Sequence, residues 1–301
     1  MRRRLKARKV ILIGVLAVCL LIMYKVFWLD KHIERERAVI CVEGTDELEK
    51  KIRKENCIVI LDCREMMTDY NSEKQTILYI NNKDEPVEKN LWTGEAKILD
   101  IGGNIRNLQY GPEEGKITYV REEDANIGDI YTYNLDDGVE KRITDGFPSD
   151  WLNTYAWKDE STLFTMNRNR HGERYDDALF VWREGGEKEQ IDDTSSIWSI
   201  ASGEDENKIY GIIQGCRFNG ITIEFKYKLI EIDLKNNAVK ELTDIDSEDN
   251  FLLECIDDKY LIYVEQERYK RKSKVYCYYI ETGEKKCIFK TNKEIVGVFV
   301  K

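Results

Sequence analysis

Short runs of Ile, Val, Leu, Tyr and Phe recur along this chain at a nearly constant interval, and that recurrence restricts the fold more than any other feature. The stretch from Tyr110 to Gly146, YGPEEGKITYVREEDANIGDIYTYNLDDGVEKRITDG, reads as strand, tight turn, strand, polar loop, strand, Asp-Gly turn, strand. Downstream counterparts are AWKDESTLFTM with ALFVWREGGEKEQI, ASGEDENKIYGII with YKLIEIDLKNNAVKELT, and CIDDKYLIYV with VYCYYIETGEKKCIF. Upstream, KQTILYI is followed by VEKNLWTGEAKIL. Gly94, Gly138, Gly185, Asn237 and Gly283 occupy the same turn in five units, at intervals of 44, 47, 52 and 46 residues. Gly and Asn reach the positive φ that tight turns between antiparallel strands require, so the recurrence has a mechanical cause.

A four-stranded unit cannot bury both of its faces alone. Neighbouring units must cover them, which makes a β-propeller the economical arrangement. The expected fold is all-β, a propeller of four-stranded blades numbering five or six. A further strand, Glu294 to Val300, ends the chain. It either pairs with the strands at 75–101 and closes five blades, or residues 38–63 complete a sixth; there AVICV and CIVILDC flank a helical TDELEKKIRKEN. The six-bladed ring is preferred, with its first blade assembled irregularly from residues 38–101.

YGPEEGKITYVRE followed by DIYTYNLDDGVEKRIT resembles the WD40-like repeat of TolB-like propellers, in which a strand-turn-strand leads into an Ile-Tyr strand, a Gly turn and a terminal Leu-Thr. AWKDESTLFTMNRNRHGERYDDALFVW repeats it, with Asn167-Arg168-Asn169-Arg170 in place of that repeat's Asn-Arg-Asp-Gly loop. The resemblance covers residues 75–301 and departs from the pattern where most units lose the aromatic-Ser-Pro-Asp-Gly turn. It implies protein interaction at a cell envelope and implies no reaction.

The N-terminus has a different character. Residues 1–31 hold eight basic groups and one acid; with −10 on the whole chain, the rest carries −17. Residues 10–29, VILIGVLAVCLLIMYKVFWL, are long and apolar enough to span a bilayer as a helix, with Lys25 near one end where it can snorkel. The six basic groups before it place residues 1–9 in the cytoplasm. Apolar bulk continuing through Phe27 and Trp28 favours a retained signal anchor over cleavage, and Val18 before Cys19 makes a poor lipobox. The expected plan is thus a cytoplasmic tail at 1–9, a membrane span at 10–29, a linker at 30–37 and an extracytoplasmic propeller at 38–301, its 38–74 part irregular.

Little in the remainder suggests catalysis, and no catalytic residue, metal ligand or cofactor is assigned. There are only two histidines, His32 and His171, and no GxSxG elbow. Seven cysteines lie beyond the span, an odd number without a CxxC pair; Cys277 and Cys287 flank one turn closely enough for a cross-strand bridge, but buried thiols are the simpler reading. Asp145, Asp150, Asp192, Asp193, Asp246 and Asp249 fall between blades and read as turn formers, with a carboxylate-based carbohydrate enzyme as the alternative. The most suggestive feature is the loops joining second to third strands. They gather Arg168, Arg170, His171, Arg174, Arg217, Arg268, Lys270 and Arg271 on one face of an otherwise acidic body. The expected role is a non-catalytic scaffold at the cell membrane whose loop face binds a protein or an anionic or glycan partner; net acidity argues against nucleic acid.

Overall fold

The computed structural model describes residues 37–42, 57–60, 69–124, 127–144, 151–171, 174–183, 188–191, 197–218, 223–246, 252–256, 258–267 and 272–300. The expected tail, membrane span and helical segment between AVICV and CIVILDC all lie outside the described residues.

Two strands, β1 (Arg37–Val42) and β2 (Cys57–Ile60), precede five consecutive four-stranded sheets. Blade 1 is β3 (Asp69–Asn71), β4 (Thr76–Ile80), β5 (Pro86–Asn90) and β6 (Ala96–Ile98). Blade 2 is β7 (Asn104–Tyr110), β8 (Lys116–Asp124), β9 (Ile127–Asn134) and β10 (Glu140–Arg142). Blade 3 is β11 (Trp151–Trp157), β12 (Thr162–His171), β13 (Arg174–Arg183) and β14 (Lys188–Ile191). Blade 4 is β15 (Ile197–Ser202), β16 (Lys208–Phe218), β17 (Ile223–Asp233) and β18 (Ala238–Ile245). Blade 5 is β19 (Leu253–Ile256), β20 (Tyr260–Glu267), β21 (Lys272–Tyr279) and β22 (Lys285–Thr291). Neighbours within each blade are antiparallel.

The last strand, β23 (Glu294–Val300), runs parallel to β1, and β1 pairs antiparallel with β2. This three-stranded sheet takes the sixth position. It corrects the expectation of an irregular first blade from residues 38–101: residues 69–98 form a regular blade by themselves, and the N-terminal strands join the C-terminus instead. Each interface between neighbouring sheets has its own buried apolar cluster, and the cluster between the sixth sheet and blade 1 unites Val39, Val296 and Phe299 with Ile77, Tyr79 and Val87. Full burial of each such side chain stabilises by roughly 1.5–3 kcal/mol, so every interface is a substantial term.

Two sequence-level expectations are settled locally. Gly94, Gly138, Asn237 and Gly283 all adopt positive φ, between 50° and 75°, while Gly185 lies outside the described residues. In blades 1, 2 and 5 the turn closes identically, with Asn90, Asn134 and Tyr279 each accepting from the glycine N–H four residues on. Cys277 and Cys287, by contrast, are both free. Cys277 pairs with Lys286 and Cys287 with Tyr276, a one-residue offset that sends the two thiols to opposite faces of the blade.

Two blades carry the same polar motif with its charges exchanged. In blade 2, Tyr119 and Tyr131 stack, and Arg121 lies over both rings while bonding Glu140 on β10. In blade 5, Tyr263 and Tyr276 stack at 5.5 Å, and the ammonium of Lys285 on β22 sits 4.3 Å from the Tyr276 ring while bonding Glu265 at 2.7 Å. Glu265 is only 2% exposed, and Lys285 supplies the cation beside it. Lys285→Ala is expected to destabilise the protein by about 3–5 kcal/mol because it strands a buried carboxylate, and adding Glu265→Gln should recover much of the loss. Chemical denaturation of the wild type and the two variants checks this; a loss below about 0.5 kcal/mol in Lys285→Ala would contradict it.

Candidate functional site

The innermost strands β3, β7, β11, β15, β19 and β23 surround a central channel. A cavity of about 240 Å³ opens from it between β3, β7, β11, β15 and β19. Five of its lining residues, Asp69, Gln109, Ala156, Ala201 and Glu254, are equivalent in the repeat: each pairs with the third residue of its own blade's second strand. The result is a ring of one side chain per blade at a single level of the channel. Two members are acids, and no Lys or Arg is among the described residues lining the cavity.

Hydrogen bonds between blades hold this level. Gln109 Nε2 donates to the Tyr155 carbonyl, Tyr155 Oη donates to the Asn107 carbonyl at 2.6 Å, and Ser202 Oγ donates to the Trp157 carbonyl at 2.6 Å. Asn107 reaches its position through positive φ within a bulge of β7. On the far side of Ser202, the Asp205 N–H donates to Asp258 Oδ2 at 2.6 Å, linking blade 4 to blade 5.

The two acids occupy different environments. Asp69 accepts the Tyr70 N–H at 2.8 Å on one oxygen and the blade 2 Tyr110 N–H at 2.7 Å on the other. Its burial outweighs those two bonds and pushes its pKa up to about 6. Glu254 makes no hydrogen bond among the described residues. Its side chain is exposed, with the walls of the cavity close around the carboxyl. Crowding by the walls is the larger cause, and the like charge of Asp69 the smaller, in raising its pKa above the ordinary carboxylate range. Chemically, the ring presents one acid already committed to backbone amides and one available to a ligand.

None of the basic residues expected at the site is among the described residues that line this cavity. Arg168, Arg170 and His171 lie at the end of β12, Arg174 begins β13 and Arg217 is near the end of β16, all at the opposite end of the blades from the ring; their side chains lie outside the described set. In backbone register Arg168 faces Asp177, His171 faces Arg174 and Arg217 faces Glu224. Arg268, Lys270 and Arg271 lie outside the described residues, as do Asp145, Asp150, Asp192, Asp193 and Asp249. Asp246 is exposed and its N–H donates to Glu265. Among the described residues no three His, Cys, Asp or Glu side chains converge as a metal site.

No protein-family model matches the chain, and no curated protein sequence resembles it significantly. Solved structures do. TolB from Acinetobacter baumannii aligns with a TM-score of 0.58 at 14% identity, covering 76% of this chain and 55% of that one, so the chain spans about half of that protein. A putative TolB from Agrobacterium tumefaciens aligns with a TM-score of 0.62 at 11% identity, covering 83% of this chain and 91% of that one. The fold is that of a TolB-like β-propeller. An oligogalacturonate lyase solved with manganese shares the architecture, with a TM-score of 0.53 at 12% identity over 76% of this chain and 66% of that one. Propellers host both binding proteins and enzymes, so the fold by itself assigns neither role.

The acids make a definite prediction. A carboxyl whose pKa is higher in the folded protein than in the unfolded chain ionises at a cost to folding. Stability is therefore highest with Asp69 protonated, and falls as pH rises from the unfolded value of 3.8 to about 6. Glu254 acts in the same direction from 4.5 upward. Urea titrations across this window should show a slope that Asp69→Asn diminishes at its lower end and Glu254→Gln at its upper end. An unchanged slope in Asp69→Asn would overturn the assignment.

Proposed function

We propose that this chain is a propeller tethered outside the cytoplasm by residues 10–29, acting as a non-catalytic binding module that takes a positively charged element of a protein partner into its central channel. The observation that carries the reading is the acid ring: two carboxyls, one unengaged, in a cavity with no basic side chain among its described lining residues. Such a cavity favours a cationic side chain, whose charge would draw Glu254 into its ionised form. Its size suits a side chain or a short extended segment and is too small for a folded domain. The bonds across blades 1 to 5 hold the ring before any ligand arrives, which limits the ordering that binding requires.

The carbohydrate-enzyme alternative needs two carboxyls free to exchange protons or attack. Both Asp69 oxygens already accept backbone N–H groups, and releasing them would unclamp blade 1 from blade 2. That favours binding over bond cleavage.

Capture from the native membrane, with the full-length protein as bait, tests the proposal. A protein partner retained by the wild type should be lost with Glu254→Lys, whose channel charge is reversed, while the variant melts normally. Retention by Glu254→Lys, with loss on reversing Arg170, Arg268 and Arg271 to Glu, would move recognition to the basic loops at the other end of the blades. For the tether, a membrane-impermeant maleimide should label a cysteine introduced at exposed Glu160 in intact cells; labelling only after lysis would refute the topology.

A further inference from the structure

A second cavity, of about 290 Å³, lies in the groove between blades 2 and 3 and differs in charge from the channel. The apolar cluster between these blades, built on Val120, Ile130, Leu163 and Phe180, is left open at the end carrying the first-to-second-strand turns. Trp157, Leu163 and Trp182 form one wall there, and Pro112 and Ile143 stand opposite. Both indole N–H groups are already used inside the protein: Trp157 Nε1 donates to Thr118 Oγ1 at 3.3 Å and Trp182 Nε1 to Thr165 Oγ1 at 3.1 Å. What these rings offer a ligand is therefore their carbon framework, suited to a flat, weakly polar surface.

The rim is cationic in a body that is otherwise acidic. Lys116, Lys141, Arg142 and Arg183 line the cavity, against Glu113 and Glu160. Arg142 is held by Asp129 and by the Thr144 carbonyl. Lys116 and Arg183 pair with Glu113 and Glu189 in exposed contacts, which an incoming carboxylate can replace at little cost. Lys141 is exposed and has no ion pair or hydrogen-bonded partner for its ammonium among the described residues. Glu160, on the blade 3 lip, is exposed at the cavity's edge.

We infer that this groove binds a small organic anion: a ring with one apolar face, stacked on the tryptophan wall, and a carboxylate met by Lys141. Uronic-acid sugars and aryl carboxylates share this chemistry. The inference does not rest on the channel reading, since the two cavities differ in position and in sign of charge.

Calorimetric titration of the full-length, detergent-solubilised protein with sodium glucuronate and with sodium phenylacetate separates the two sources. Glucose and benzyl alcohol serve as uncharged controls. At least one anion should bind in the millimolar range and quench tryptophan fluorescence, its neutral counterpart should bind at least about tenfold more weakly, and Lys141→Glu should weaken the anion by about tenfold or more with an unchanged melting profile. Glucuronate binding alone would identify an acidic-sugar site, and phenylacetate alone an aryl-acid site. Binding of neither anion by about 20 mM, equal binding of the neutral counterparts, or full affinity in Lys141→Glu would overturn the inference.

Discussion

The parallel pairing of β23 with β1 is the contact on which everything else in the propeller depends. Each sheet has two apolar faces, and in a ring each face is covered by a neighbour only if the last sheet meets the first. Here the chain ends supply that meeting. Ile40, Ile295 and Val298 pack against blade 5, and Val39, Val296 and Phe299 against blade 1, so one three-stranded sheet serves two interfaces. Without it, the faces of blades 1 and 5 would both lie open to water.

Closure also explains the central cavity. Because the blades converge radially, equivalent side chains of their innermost strands arrive at one level, and whatever residue occupies that repeat position becomes part of a ring. Small Ala156 and Ala201 leave room there; Asp69 and Glu254 place charge in it. Burial raises both pKa values, so the ring is held at some expense to folding, the usual mark of residues that serve a ligand better than they serve stability. Asp69 shows both sides of this, since the same carboxylate that is strained by burial clamps blade 1 to blade 2 through the Tyr110 amide.

Much of the architecture was legible from residues alone because turn chemistry is local. Positive φ at Gly94, Gly138, Asn237 and Gly283 follows from the residues themselves, and so do the strand pairs they join. The partner of the last strand was not legible, because pairing between chain ends leaves no local signature and Glu294 to Val300 reads equally well beside residues 75–101. The free state of Cys277 and Cys287 turned on a single residue of register, set by the turn that pairs Tyr278 with Lys285. The acid ring was missed for a different reason. Asp69 and Glu254 are isolated acids in short strands, whereas the arginine-rich loops form conspicuous runs. The available signal was alignment: placed in one column of the repeat with Gln109, Ala156 and Ala201, the two acids fall at the same step before the first turn, and in a propeller that step faces the axis.

Native-state hydrogen exchange tests the closed ring most directly. If the chain ends complete it, the amides of residues 38–41 and 295–299 should exchange only through the opening that also exposes β16 and β20, with equal free energies and a common dependence on denaturant. Exchange of those end strands at rates near those of an unfolded chain, while β16 and β20 remain protected, would show a stack of blades that stands without closure and would contradict the account.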